Sequence, residues 1–141
     1  MQWRPNTTIA AIIEQNNRFL LVEESINGKL VFNQPAGHLE HGETLIEAVK
    51  REVMEETAWE FEPESLVGVY LYSNPHQLDI TYLRFCFYGN CIEEHLGQAL
   101  DAEIIPISKK GKGCFTPFIM ASVISFCLVV IGNCTGYINC M

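Results

Sequence analysis

The chain predicts a mixed α/β domain, and three observations carry that reading. Its 141 residues suffice for one domain with a real core, and nearly half of them are apolar. Apolar, β-branched segments with period-two character lie on both sides of a single stretch with helical periodicity. Turn residues punctuate those segments, and there is neither an internal repeat nor a low-complexity linker.

Thr7 to Ile13 and Phe19 to Glu23 read as a hairpin turned at Gln15-Asn16-Asn17. Asn27-Gly28 marks a second turn before the short run Leu30-Val31-Phe32. The segment Asn33 to Gly42, holding one Pro and two Gly, reads as a loop. From Glu43 to Thr57, Leu45, Val49 and Val53 recur at i+4 with Ala48 beside them, which predicts a helix with one core-facing stripe. Glu43 then stands at the helix start, where the macrodipole favours an anion. Leu66 to Tyr72 and Leu78 to Tyr88 read as two further strands around Ser73-Asn74-Pro75.

Composition narrows the function. A net charge of -8 argues against a nucleic-acid partner. An acidic protein that handles phosphates needs local help, usually a divalent cation. The N-terminus lacks the apolar core of an export leader, so a cytoplasmic location with reduced thiols is expected. The six cysteines form no C-x-x-C pair and no zinc framework.

Within the predicted helix, Glu52, Glu55 and Glu56 fall within about one turn of each other. Like charges at i, i+3 and i+4 weaken a helix by a few tenths of a kcal/mol per pair. The sequence Glu47-Arg51-Glu55 offsets that only in part. A solvated face is the ordinary reading of such a run. A hard cation is the other, because Mg²⁺ takes a few carboxylates together with substrate phosphates.

The longer pattern is more specific: Gly37, five residues, Glu43, seven residues, then Arg51-Glu52-Val53-x-Glu55-Glu56-x-Ala58-Trp59. It closely resembles the Nudix box, G-x5-E-x7-R-E-U-x-E-E-x-G-U, over the 23 positions from Gly37 to Trp59. One fixed position departs, with Ala58 where the pattern has glycine. That glycine ends the helix at a position favouring positive φ, so alanine should cost ~1 kcal/mol there. The phrase Asn33-Gln34-Pro35-Ala36-Gly37-His38-Leu39-Glu40, with Val22-Glu23-Glu24 and Leu83-Arg84-Phe85, looks like the NudJ-type bacterial phosphatases over residues 7 to 105.

The resemblance implies an α/β/α sandwich with a mixed sheet and a loop-helix-loop catalytic box. It implies a hydrolase that uses Mg²⁺ or Mn²⁺ on nucleoside di- and triphosphates or a related small pyrophosphate. Glu52, Glu55 and Glu56 become the metal-binding carboxylates, with the Gly37 carbonyl completing the site. Arg51 and Glu43 pair to orient helix and loop. A late acidic residue helps many relatives, and Asp101-Ala102-Glu103-Ile104 occupies that place, with Glu103 preferred as ligand or base beside Glu55 and Glu52. Two loop acids in water is the plainer account of that pair.

Other polar residues have double readings. Arg84 stands within an apolar strand pattern and either holds phosphate or makes a rim salt bridge. Phe32, Tyr72 and His76 are candidates to stack on a base, with core packing the favoured role for Phe32. His38, Glu40 and His41 are close in sequence, but loop histidines without four spaced ligands rarely make a zinc site.

Every charged residue lies at or before Lys112. A domain over residues 1–112 is therefore expected, followed by an uncharged tail, 113–141, that holds four of the six cysteines. Such an abrupt change is what a shift of reading frame produces. The alternative is a membrane anchor over residues 114–131, which as a helix spans ~27 Å against a bilayer core of ~30 Å. A hydrolase is thus the leading reading. An idle nucleotide-binding module and a membrane-tethered adaptor are the rivals.

Overall fold

The computed structural model describes residues 3–26, 28–73, 79–102 and 114–117. Within them the order is β1 (Asn6–Gln15), β2 (Arg18–Ile26), β3 (Lys29–Asn33), β4 (Ala36–His38), α1 (Leu45–Thr57), β5 (Trp59–Ser73), β6 (Thr81–Glu94) and β7 (Cys114–Pro117). The strands form one mixed sheet in the order β3-β2-β1-β6-β5, with β4 added to β1 and β7 to β2. Among the described strands only β1 and β6 run parallel, from Asn6 opposite Tyr82 to Ile13 opposite Gly89. The predicted α/β class is observed.

The first hairpin closes with Gln15 opposite Arg18. Asn16 and Asn17 carry φ of 55° and 59°, the left-handed values a two-residue hairpin turn requires and asparagine tolerates. The segment read as a loop between Asn33 and Gly42 contains a strand, β4, that pairs antiparallel with Thr8, Ile9 and Ala10. Its three residues carry no period of their own; the free edge beside β1 supplies the partner.

Helix α1 starts at Leu45, two residues later than predicted. Thr44 is its N-cap, and Thr44 and Glu47 form a reciprocal capping box. The Thr44-x-x-Glu47 spacing was readable in the sequence. It also removes Glu47 from the expected Glu47-Arg51-Glu55 ladder. The helix ends at Ala58, which adopts φ 59° and ψ 19° and donates its N–H to the Met54 carbonyl. The left-handed position inferred for the missing glycine is therefore real.

Ala48, Val49 and Val53 pack on Ile9, Ala11, Ile13, Leu20, Phe61 and Phe87, so odd residues of β1 and β6 face the helix. Even residues, among them Ala10, Ile12 and Cys86, cluster on the other face. β5 and β6 extend well beyond the runs predicted for them, as a long hairpin with three register shifts. Cys86 is buried and Cys91 half-buried, and both are free; burial pushes the Cys91 thiol up to about 12.

Among the described residues no helix is long and apolar enough to cross a membrane. The anchor considered over residues 114–131 begins with β7, which pairs with Arg18 to Leu21 of β2. Its remainder lies outside the described residues.

Candidate active site

The site is built where α1 meets β4. Glu52 and Glu56 are only 8 % and 7 % exposed, which excludes the solvated-face reading for those two side chains. Glu56 Oε2 accepts the Ala36 N–H at 2.9 Å. The next residue, Gly37, backs directly onto the Glu52 carboxylate: a Cβ there would overlap all three carboxyl atoms. Glycine is required at position 37 by that close approach, not by an unusual φ. The short strand β4, anchored to β1, thus carries the Ala36-Gly37 backbone to both carboxylates.

Arg51 ties the loop to the helix. Its Nε and Nη2 donate to the two Glu43 oxygens at 3.0 and 2.7 Å. Nη1 donates to Glu52 Oε1 at 2.7 Å and to Glu55 Oε2 at 3.0 Å. Nη2 also donates to the His38 carbonyl at 3.0 Å. The planar fork is needed, because one ammonium could not serve all five acceptors. Glu43 in turn accepts the Glu40 N–H at 2.7 Å, which folds the loop onto the helix start. The Arg51 bond holds the Glu43 carboxyl below its ordinary range, and these carboxylates raise the Arg51 guanidinium. Burial pushes Glu52 up, against the pull of Arg51, and the charges of Glu55 and Asp101 add to the rise.

Ligand oxygens of Glu52, Glu55 and Asp101 all lie within 4.8 Å of one another. Asp101 reaches the helix because its N–H donates to the Glu55 carbonyl at 3.1 Å. The preferred late acid of the sequence reading, Glu103, lies outside the described residues, and its neighbour Asp101 takes the described place. His38, Glu40 and His41 do not converge among the described residues. Chemically the donor set is all oxygen. A single guanidinium is shared among Glu43, Glu52 and Glu55, and a glycine gap lies against Glu52. That set fits a hard divalent cation.

The residues expected to touch the rest of a substrate fall into two places. Arg84 lies on β6 between Thr8 of β1 and Tyr70 of β5, on the face away from α1. It is 8 % exposed, and its Nε donates to Thr8 Oγ1 at 3.3 Å. Tyr72 pairs with Tyr82 one step along the same face. Phe32 is elsewhere: β3 and β5 are opposite ends of the sheet path, four strand spacings or ~19 Å apart. It is also 50 % exposed, which corrects the core role favoured for it. A short apolar run cannot say which of its residues the sheet covers. His76 lies outside the described residues.

Known proteins share this fold. The model of the NUDIX domain matches residues 3–108. Phosphatase NudJ of Escherichia coli (strain K12) is 42% identical over 85 residues, covering 60% of this chain and 54% of that protein. The chain therefore spans about half the length of the curated relatives it matches. A NUDIX hydrolase from Nitrosomonas europaea superposes with a TM-score of 0.73 at 37% identity, covering 94% of this chain and 82% of the other. The MutT protein from Methanosarcina mazei Go1, at 24% identity and TM-score 0.58, shares the fold, over 74% of this chain and 76% of that one. The box, its geometry and the domain match together place this chain in the Nudix family.

Proposed function

We propose that the chain is a divalent-cation-dependent hydrolase of phosphoanhydrides, acting on nucleoside di- and triphosphates or a related small-molecule pyrophosphate. The observation that carries this reading is the convergence of Glu52, Glu55 and Asp101, with Glu52 against the Gly37 backbone. The similarity to a phosphatase of Escherichia coli and to a hydrolase of Nitrosomonas europaea supports the reaction class.

Glu52, Glu55, Glu56, Asp101 and the Gly37 carbonyl are the groups that would hold Mg²⁺ or Mn²⁺. A cation bound there lowers the pKa of water, neutralises phosphate oxygens and steadies the leaving group. The protein residues do the rest. Arg51 holds the carboxylates of Glu52 and Glu55 together, with Glu52 against the Gly37 backbone, while Glu56 is latched to the Ala36 N–H. Glu55 is the most exposed of the three carboxylates bonded to Arg51, which suits it to take a proton from attacking water. Glu52, with its raised pKa, and Asp101 are the next candidates. Arg84, as a phosphate contact, and Tyr72, as a stacking partner for a base, are the remaining candidates for substrate contact.

The test is release of phosphate and pyrophosphate from several nucleoside di- and triphosphates, with and without Mg²⁺. Wild type should turn over only with the cation. Glu56→Gln should fold normally and lose most of that turnover. Near-wild-type activity in Glu56→Gln removes it from the ligand set, and cation-independent turnover overturns the reading.

A further inference from the structure

The last turn of α1 leaves the Glu55 carbonyl to a partner outside the helix. Two local donors could have taken it. In a continuing helix the Trp59 N–H would donate to Glu55, four residues back. In one common left-handed ending the Ala58 N–H takes it instead. Here Ala58 turns left-handed at φ 59°, and its N–H donates to the Met54 carbonyl at 2.9 Å. The Trp59 N–H donates to Thr57 Oγ1 at 3.2 Å. That hydroxyl in turn donates to the Val53 carbonyl at 2.6 Å, and Thr57 is wholly buried.

The segment after β6 uses this ending. The His95 N–H donates to the Ala58 carbonyl at 2.8 Å, and the Asp101 N–H donates to the Glu55 carbonyl at 3.1 Å. Between these two anchors the chain turns, with the Gln98 N–H on the His95 carbonyl at 3.1 Å and Gly97 at φ 103°. Asp101 is exposed, so apolar burial does not place it. Its carboxylate nonetheless lies within 4.8 Å of the Glu52 and Glu55 oxygens. Like charges repel at that range, so the side chains do not draw themselves together. The backbone anchor does.

We propose that the end of α1 is the dock that sets Asp101 in place, and that Thr57 is a positioning residue of the site. The inference rests on the reading of Glu52, Glu55 and Asp101 as groups that hold the cation. By keeping the Trp59 N–H, the Thr57 hydroxyl leaves the Glu55 carbonyl open, and Asp101 takes it. Glu55 thus serves the site twice, with its carboxylate as a ligand and its carbonyl as the anchor of another. The bond fixes the spacing of the two segments before a cation arrives. Binding then need not order the loop, which raises affinity without a new contact.

Two measurements on the full chain test this: amide hydrogen exchange without cation, and Mn²⁺ titration read by water-proton relaxation. In wild type the Asp101 amide should exchange about 100-fold more slowly than an open loop amide. Thr57→Val keeps the side-chain shape and loses the hydroxyl. Its Asp101 protection should fall by about 10-fold or more, and Mn²⁺ should bind about 10-fold more weakly, as when a group behind a ligand is removed. Thr57→Ser should restore both. Asp101→Ala should keep the amide at that position protected and lose Mn²⁺ affinity. Adding Thr57→Val to Asp101→Ala should change that affinity by less than about twofold. Free exchange of Asp101 in wild type overturns the inference, and so does protection that Thr57→Val leaves intact. Equal losses of affinity with and without the Asp101 carboxylate would make Thr57 merely structural and overturn it too. Loss of protection in Asp101→Ala would show the carboxylate holding the loop, which reverses the causal order proposed. If circular dichroism shows Thr57→Val unfolded, exchange in wild type and Asp101→Ala decides. A wild type with a protected Asp101 amide and no Mn²⁺ binding would instead sink the cation reading and uphold the dock.

Discussion

Replacing Gly37 by alanine adds one methyl group at the point where β4 meets the Glu52 carboxylate. Ordinary van der Waals contact for a Cβ begins at 3.4 Å, and the built methyl falls well inside that limit. The carboxylate must retreat by more than an ångström. It can, because it ends a flexible side chain. Gly37 has no positive φ, so alanine fits the backbone. The fold should therefore survive, with the about 0.5–1 kcal/mol that alanine contributes by having less freedom to lose on folding offset by the disturbed Arg51–Glu52 bond. The cost falls on function: displacing a reacting or ligating group by ~1 Å can lower turnover ~10²-fold. Cation-induced stabilisation should shrink as well, from about 2.7 kcal/mol at a hundredfold excess over Kd toward zero. The assays are thermal melts with and without Mg²⁺ and initial rates of phosphate release. A Gly37→Ala protein with wild-type rates and the wild-type Mg²⁺ response would refute the role assigned to this contact.

Other expectations follow from single contacts. Thr44→Ala removes the cap bonded to the Glu47 N–H and should cost ~1 kcal/mol, read from urea midpoints at constant m. Arg51→Ala strips bonds from three carboxylates and one carbonyl and should destabilise by about 2–4 kcal/mol, with Arg51→Lys recovering only part. Ala58→Gly relieves left-handed strain of ~1–2 kcal/mol, but loses a buried methyl worth ~0.8 kcal/mol and adds ~0.5–1 kcal/mol of chain entropy. Its melting temperature should shift by no more than about 4 °C; a gain above about 1 kcal/mol would show that strain dominates. The folded pKa of Glu43 is lowered, so its contribution is present above the ordinary carboxylate pKa and is lost as pH falls through the lowered value. Urea midpoints from pH 7 down to pH 3 should show this acid-side loss in wild type and less of it in Glu43→Gln.

Much of the fold was legible because its signals are local. The stripe Leu45, Val49 and Val53 follows helical period whatever surrounds it, and it does face the core. Asn16-Asn17 closes a hairpin by its own φ preference. The spacing of Gly37, Glu43, Arg51, Glu52, Glu55 and Glu56 was written along one helix and its loop, and a motif confined to adjacent residues can be read without the fold. Even the helix end was legible, since Ala58 stands where a positive φ was expected and takes one.

Only the tertiary structure decided the rest. Strand β4 exists because β1 offers it an edge, which no property of Ala36-Gly37-His38 announces. Glu52 and Glu56 are buried because β4 closes over them, although their residue types favour water. Asp101 joins carboxylates some fifty residues earlier through one backbone bond to Glu55. Phe32 and Tyr72 were alike as aromatic strand residues, and the order of strands set them at opposite ends of the sheet. Sequence carries preferences that act over one turn or one pleat. Which edge is free, which carboxylate loses its water and which acids meet depend on contacts between segments far apart in the chain, and those are settled only when the sheet closes.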